Sequence, residues 1–182
     1  MLIMEKRNVY VVNGDTLCWM YLSIMELVFV EKVPIFDLII DDKGKKIYLG
    51  DDVAASHEKC LNDVTTIIDL SGKTESVEND GKVRVYFPIQ DSRTVDISRL
   101  FDSTETAVET SPGNVLICCA NAVSRSVTVM LYLLMKRHCM RLNDAVTYLE
   151  SKRPGRITRP NPGFLSQLKK VEGELLTAGH FC

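Results

Sequence analysis

The sequence predicts an α/β fold with a central, mostly parallel sheet of about five strands flanked by helices. From Asp51 onward, short strand-like runs alternate with amphipathic helix-like segments, which is the pattern of a sheet covered by helices. Before that point, apolar arms joined by turn residues indicate antiparallel hairpins. The chain has 182 residues, 46% of them hydrophobic, which is enough to bury the core of one domain.

Residues 1–34 precede the alternating pattern and are predicted to pack as a hairpin followed by a helix. In VYVVNGDTLCW, Val9 to Trp19, two apolar arms flank Asn-Gly, the strongest short hairpin signal. The most apolar stretch, Leu17 to Val30, contains Glu26 and is too short for a membrane span, so we expect a buried element. So apolar a segment is unfavourable when exposed to water. We therefore expect residues 1–34 to pack on the core of a monomer or to form the contact of a homodimer.

The domain proper is predicted at residues 35–176, with residues 177–182 as a C-terminal tail. It opens with a second hairpin at 35–50, where the polar run Asp-Asp-Lys-Gly separates two strand-like arms. Periods of 2 and 3.6 residues define the remaining elements. In chain order these are a helix-like segment at 52–63, strands at 65–70 and 83–89, a helix at 97–109, a strand at 115–119, a helix at 126–138, and two amphipathic helices, one over 142–149 and one after Pro162 and Gly163.

Charge and cysteine content exclude several classes of function. The 22 basic and 24 acidic residues give a net charge of -2, so no overall positive field favours nucleic acid or an anionic membrane. Six cysteines at irregular spacing, with no CxxC pair and only three histidines, fit neither a zinc module nor a secreted disulfide framework. We therefore expect reduced thiols, a cytoplasmic or nuclear location, no metal and no cofactor.

One stretch carries the chemistry of a functional site. CCANAVSRS, Cys118 to Ser126, lies where the apolar strand at 115–119 ends and an apolar helix begins. In α/β folds, ligands bind at the carboxyl ends of the strands. Backbone N–H groups in such a loop, together with the N-terminus of the following helix, form a site for an anion such as phosphate.

Three side chains of this stretch fit a reaction on a phosphate ester. A helix N-terminus and a nearby arginine favour the thiolate form of Cys119, which makes it a candidate nucleophile. Arg125 offers a planar fork that binds two phosphate oxygens. Ser126 can donate a hydrogen bond to the thiolate. The alternative is that Cys119 is a buried strand cysteine that acts as a small hydrophobic residue.

These residues resemble the signature of the dual-specificity branch of the cysteine-dependent protein phosphatases, His-Cys-x₂-Gly-x₂-Arg followed by Ser or Thr. VLICCANAVSRS matches that signature at Cys119, Arg125 and Ser126. Four further segments are similar to the family in the family's order: KKIYLGDDVAA, TTIIDLSG, YFPIQDSRTVDI and RPNPGFLSQLKKVE. The resemblance implies a phosphatase fold over about residues 40–172, with residues 120–124 (Ala120, Asn121, Ala122, Val123 and Ser124) as the variable part of a phosphate loop.

The resemblance also implies roles for two residues outside the loop. Asp91 matches the position of the general acid, which protonates the leaving hydroxyl and then activates water. Asp96 is the competing candidate, although it also fits the N-cap of the helix predicted at Ile97. Asn161 resembles the residue whose side chain supports the phosphate loop, and it equally fits a plain helix-start turn.

Two positions depart from the signature. Cys118 replaces the histidine that supports the loop, and Ala122 replaces a glycine. An alanine there is costly only if the backbone adopts φ > 0, where a Cβ costs about 1–2 kcal/mol. Cys118 is expected to fill the core, since adjacent strand residues point to opposite faces. The alternative is a redox role in which Cys118 captures oxidised Cys119.

The loop composition predicts the substrate. In the family that the sequence resembles, members that act on inositol lipids usually carry Lys or Arg among these loop residues. Residues 120–124 include neither, so the resemblance implies a phosphorylated protein as substrate rather than an inositol lipid. A basic cluster, made up of Lys152, Arg153, Arg156, Arg159 and Arg93, either forms a solvated loop or lies at the pocket rim, where it could hold a second phosphate or acidic residues. The two functions that the sequence supports are thus a protein phosphatase and a phosphoprotein-binding module with an impaired site.

Overall fold

The computed structural model describes residues 32–42, 44–72 and 81–180. The hairpin and helix predicted within residues 1–34 fall almost entirely outside these ranges, as do residues 181–182. The chain divides into two units, Met1–Lys32 and Val33–Cys182, and the described strands and helices belong to the second. Within the described ranges, no helix is both long enough and apolar enough to cross a membrane.

Five strands form a single sheet and confirm the predicted fold class. The strands are β1 (Phe36–Asp42), β2 (Lys45–Asp51), β3 (Val64–Asp69), β4 (Val83–Tyr86) and β5 (Asn114–Cys119), in the spatial order β1-β2-β5-β3-β4. The hairpin β1–β2 is antiparallel, and all other neighbours are parallel. The carboxyl ends of β2, β3, β4 and β5 therefore lie at the same edge of the sheet.

Helices occupy most of the segments where periodicity predicts them. They are α1 (Glu58–Leu61), α2 (Phe101–Thr110), α3 (Arg125–Arg137), α4 (Leu142–Lys152) and α5 (Pro162–Thr177). The segment at 52–63 forms only a 3-10 turn and the single turn α1, because His57 is extended between them. The helix predicted from Ile97 likewise starts with a 3-10 turn, Ser98–Leu100.

The strand predicted at 83–89 is shorter in the structure and ends at Tyr86. Phe87 still donates its N–H to the carbonyl of Asp69, at 2.9 Å. The pairing goes no further, since β3 itself ends at Asp69, and Pro88 follows with its fixed φ. The chain is thereby released from the sheet just before Asp91.

The central strand β5 is buried on both faces, as expected for an interior parallel strand with a continuous apolar run. Val115, Ile117 and Cys119 belong to the larger hydrophobic cluster, which includes α3. Leu116 and Cys118 belong to a smaller cluster on the opposite face. The alternation fixes the register, so that Cys119 and not Cys118 lies on the α3 side of the sheet.

Candidate active site

The structure places Cys119 at the end of β5 and Arg125 at the start of α3, so the loop 120–124 joins the sheet directly to a helix N-terminus. Cys119 lies opposite Asp51 of β2, at the carboxyl edge of the sheet. Its Sγ is 3.1 Å from the Oγ of Ser126, and both side chains are buried. A hydroxyl is therefore in position to donate a hydrogen bond to the sulfur.

Nη1 of the Arg125 guanidinium is held by hydrogen bonds, whereas Nε forms none within the described residues. Nη1 donates to the carbonyls of Leu70, at 2.8 Å, and Ile89, at 3.1 Å, which follow β3 and β4. Nε is buried and has no hydrogen-bond partner in the part of the chain that the structure describes, although it lies 3.9 Å from Oδ2 of Asp91. Nε is thus a donor that is held in place and left for a ligand oxygen.

Asp91 lies at this site and is held by two donors. Its Oδ1 accepts hydrogen bonds from Ser124 Oγ and from Asn161 Nδ2, each at 2.7 Å. Asn161 N donates to Ser124 Oγ at 3.2 Å, which closes the cluster. Because both donors contact Oδ1, the second oxygen, Oδ2, is turned towards Arg125.

Asn161 combines the two alternatives that the sequence left open. Its Oδ1 accepts the N–H of Phe164 at 3.0 Å, which caps α5. It meets the phosphate loop through its backbone N–H, while its side-chain amide contacts Asp91. The side chain therefore supports the Asp91 carboxylate, and the backbone N–H is the group that contacts the loop, at Ser124.

Asp96 has a local role at the start of a turn. Its Oδ1 accepts the N–H of Ser98 at 3.0 Å and the Ser98 hydroxyl at 2.6 Å, and the hydroxyl bond lowers the pKa of Asp96. These bonds, to the residue two positions further on, form a local aspartate turn just before the 3-10 turn, whose N-cap is Ile97. The carboxylate that contacts Ser124 and Arg125 is that of Asp91.

The phosphate loop has a support that sequence reasoning missed. Arg153, at the end of α4, is 1% exposed, and its Nη2 donates to the carbonyl of Ala122 at 2.8 Å. Its Nε binds Oδ2 of Asp37 at 2.9 Å. The interpretation of Arg153 as part of a solvated or rim-exposed basic cluster is wrong, because a partner 116 positions away draws it into the interior.

The rest of that basic cluster separates in the structure. Lys152 lies over the ring of Tyr148, 5.3 Å from its centroid. Arg156 pairs with Oδ1 of Asp37 at 3.1 Å and is partly exposed. Arg159 and Arg93 both line a groove beside Asp91. Only these last two adjoin the site.

The two departures from the signature have different structural consequences. Ala122 has φ 53, so the backbone does adopt the left-handed conformation in which a Cβ costs about 1–2 kcal/mol. Its carbonyl is the one that Arg153 binds. Cys118 is buried in the smaller cluster, away from Cys119, and burial raises the pKa of its thiol well above the usual value.

Cys119 is a buried thiol beside a hydroxyl at the end of a central strand, and Arg125 begins the helix that follows. This arrangement is the class of site found in cysteine-dependent phosphatases. Comparison with known families agrees with this. Residues 47–174 match the family model "Dual specificity phosphatase, catalytic domain". The match covers more than half of the chain and includes Cys119, Arg125, Ser126, Asp91 and Asn161, whereas Asp37 lies before it.

Individual relatives and a solved structure extend the comparison. Dual specificity protein phosphatase 18 of Mus musculus is 37% identical over 136 residues, covering 72% of this chain and 71% of that protein. Dual specificity protein phosphatase 1 of Arabidopsis thaliana is 31% identical over 140 residues, covering 74% and 70%. The crystal structure of human DUSP28 superposes with a TM-score of 0.67 at 28% identity, covering 80% of this chain and 97% of that one.

The chain belongs to the dual specificity phosphatase family and is a protein phosphatase. The resemblance found in the sequence is thereby confirmed.

Because Gly163 has no side chain, the start of α5 packs directly against the backbone of Arg93, in the segment that follows Asp91. A Cβ at this position would overlap the Arg93 carbonyl, with the carbonyl carbon only 2.7 Å away. We expect Gly163→Ala to destabilise the protein by about 1–3 kcal/mol, as overpacking does. It should also lower turnover, because Arg93 is two residues from Asp91. Urea unfolding and steady-state kinetics would measure both effects.

Gly173 provides the matched control in the same helix. A Cβ at Gly173 meets nothing within 4 Å, so Gly173→Ala should stabilise the protein by about 0.5–1 kcal/mol through helix propensity alone. Equal unfolding midpoints for the two variants would contradict the steric explanation.

Proposed function

We propose that this phosphatase hydrolyses phosphotyrosine, phosphoserine and phosphothreonine on proteins through a phosphocysteine formed at Cys119. One observation carries the proposal. The Cys119 sulfur lies 3.1 Å from the Ser126 hydroxyl, and Arg125, whose Nε forms no hydrogen bond within the described residues, begins the same helix. A nucleophile, a donor that stabilises it and a phosphate clamp thus meet at one helix N-terminus.

The first step transfers the phosphoryl group to sulfur. The Cys119 thiolate attacks phosphorus, the S–P bond forms and the bond to the substrate oxygen breaks. Arg125 binds two of the phosphate oxygens in the ground state and the transition state. Asp91 gives its proton to the leaving oxygen, and we assign that proton to Oδ2, because Oδ1 already accepts two hydrogen bonds.

The second step returns the enzyme to its starting state. The Asp91 carboxylate takes a proton from water, the water oxygen attacks phosphorus and the S–P bond breaks. The sulfur leaves as a thiolate, which the Ser126 hydroxyl stabilises by a hydrogen bond. Inorganic phosphate departs from the loop. Ser124 and Asn161 act as positioning residues. Each donates a hydrogen bond to Asp91, and neither transfers a proton in the reaction.

The loop residues and the thiolate also support a substrate class and a cellular location. Positions 120–124 carry no cation for the extra phosphates of an inositol lipid, which supports a phosphoprotein substrate. A thiolate nucleophile needs a reducing environment, which supports a cytoplasmic or nuclear location. We propose a monomer, or a homodimer formed through residues 1–34, as the working species.

The phosphocysteine itself provides the test. Wild-type protein is mixed with a phosphotyrosine peptide and, separately, with a phosphothreonine peptide, and released phosphate is measured. A parallel sample is quenched in acid and digested for mass spectrometry. We expect phosphate release from both peptides and a phosphoryl group on Cys119 and not on Cys118.

The same experiment separates the phosphatase from a phosphoprotein-binding module with an impaired site, which strain at Ala122 and the absence of histidine at 118 would favour. Binding of both peptides without phosphate release or a phosphocysteine would establish the binding module and overturn the proposed reaction.

A further inference from the structure

The segment that carries Asp91 has little structure of its own. It extends from Ile89 to Ile97, both of which are buried, and it contains neither a strand nor a helix. The backbone hydrogen bonds inside it join residues only two or three positions apart. The path of this segment, and with it the position of the Asp91 carboxylate, therefore depends on contacts with the rest of the fold.

One side chain of α5 binds the far end of this segment. Oε1 of Gln167 accepts the N–H of Ile97 at 2.9 Å and the N–H of Ser98 at 3.1 Å. Nε2 of the same amide donates to the carbonyl of Val95 at 2.9 Å. A side-chain amide has two donor hydrogens and an oxygen that accepts two bonds, so three of its four hydrogen bonds are made here. All three go to backbone groups that follow Asp91.

The start of α5 holds the same segment nearer the carboxylate. Asn161 Nδ2 donates to Oδ1 of Asp91 at 2.7 Å, and Gly163 packs against the backbone of Arg93. Gly163 and Gln167 are four residues apart and thus share one face of the helix. The segment therefore lies along α5, and Gln167 is the contact that holds its chain beyond Asp91.

We infer that Gln167 is a positioning residue for the general acid. Its three bonds keep the Asp91 segment where the carboxyl group reaches the leaving oxygen of the substrate. The inference rests on the proposed function, in which Asp91 protonates that oxygen, and it adds a residue that acts only through the backbone. Proton transfer is sensitive to geometry, since a misplacement of about 1 Å can cost about 10²-fold in rate.

The leaving group of the substrate provides the test. An oxygen as basic as that of tyrosine needs a proton in order to leave, whereas a strongly fluorinated phenol leaves readily without one. We expect Gln167→Leu to lower kcat/KM about tenfold for phenyl phosphate and less than about twofold for a fluorinated aryl phosphate. A general loss of folded protein or of the phosphate loop would lower both values equally.

Two further variants separate the role of the amide from the stability of α5. Gln167→Glu keeps an acceptor oxygen and loses only the bond donated to Val95, so it should recover most of the lost rate. Glu172→Leu is the matched control, because Oε1 of Glu172 accepts the N–H of Leu142 at 2.8 Å and joins α5 to a segment other than that of Asp91. It should keep kcat/KM for both substrates within about twofold of wild type.

Combination with Asp91→Asn shows whether Gln167 acts through the acid. Asp91→Asn alone should lower kcat/KM for phenyl phosphate by at least about 10²-fold. The double variant should be no slower than Asp91→Asn, because an acid that is absent cannot be misplaced. Amide hydrogen exchange at residues 95–98 should be faster in Gln167→Leu than in wild type and unchanged in Glu172→Leu.

The outcomes distinguish the inference from the function on which it rests. Equal losses for the two substrates in Gln167→Leu, or additive losses in the double variant, would overturn the inference while a selective loss in Asp91→Asn upheld the reaction. A selective loss in Gln167→Leu alone would move the acid to another residue of the segment and leave Gln167 its role. If wild type hydrolysed neither substrate, the proposed reaction would fail, and unchanged exchange at residues 95–98 in Gln167→Leu would separately refute the hold on the segment.

Discussion

Cys119→Ser is expected to reduce phosphate release by roughly 10⁴- to 10⁶-fold, as removal of a nucleophile does when the rest of a site survives. A serine hydroxyl at this position is not ionised near neutral pH, so the loop and Arg125 stabilise no anion that could attack phosphorus. The variant should still bind phosphopeptide, because Arg125 and the loop backbone remain. Initial rates with a small aryl phosphate and with a phosphopeptide measure the loss.

Cys139→Ser is the control for this substitution. It makes the same chemical change at an exposed cysteine beyond the end of α3, far along the chain from the loop. Turnover should remain within about twofold of wild type, because a surface substitution of this kind is usually near neutral in stability. Residual activity of Cys119→Ser above about 1% of wild type, on the same scale, would show that the nucleophile is another group.

Arg153→Met is expected to cost about 3 kcal/mol of folding free energy and most of the activity. Arg153 is 1% exposed and joins Asp37 of β1 to the Ala122 carbonyl. Methionine fills similar space but leaves that carbonyl without its donor and removes one partner of a buried ion pair, which typically costs about 3–5 kcal/mol. We expect a loss of folding free energy at the lower end of that range, because Arg156 still pairs with the Asp37 carboxylate. Ala122, already strained at φ 53, then loses the bond that holds it.

Arg156→Met tests whether the cost comes from the buried bond or from charge alone. Arg156 contacts the same carboxylate, but its side chain is 37% exposed. Exposed ion pairs contribute about 0–1 kcal/mol, so this variant should unfold close to wild type and keep its turnover. Urea denaturation and kinetics of both variants make the comparison. Similar losses for both would show that the loop does not depend on the Arg153–Ala122 bond.

The fold was largely predictable because its signals are local. β5 reads as an apolar run, α3 follows it without a break, and α4 and α5 show clear periodicity. The failures occurred where the hydrogen-bonding pattern changes over one or two residues. The strand before Asp91 ends where its partner β3 ends, and the extended conformation of His57 divides a helix-like segment into two short turns.

The site residues, too, were predictable where their signal is local in the sequence, and not where their partners are distant in the sequence. Cys119, Arg125 and Ser126 fall within a nine-residue stretch and could be assigned from their spacing on a strand–loop–helix unit. The Arg153–Asp37 pair spans 116 positions and has no local signature. The bonds that hold Oδ1 of Asp91 also join distant segments, so spacing could suggest the aspartate but not its orientation.

The bond path from β1 through Asp37 and Arg153 to Ala122 has a consequence for dynamics. β1 is an edge strand, paired only with β2 among the strands described, so it can open locally without breaking the pairing of the inner strands. Because its carboxylate helps to hold the phosphate loop, any anion that stabilises the loop also raises the free energy of opening β1. By reciprocity, fraying of this strand weakens phosphate affinity by the same factor. Opening of β1 and binding of an anion at the phosphate loop are thus coupled, although no residue of β1 belongs to that loop.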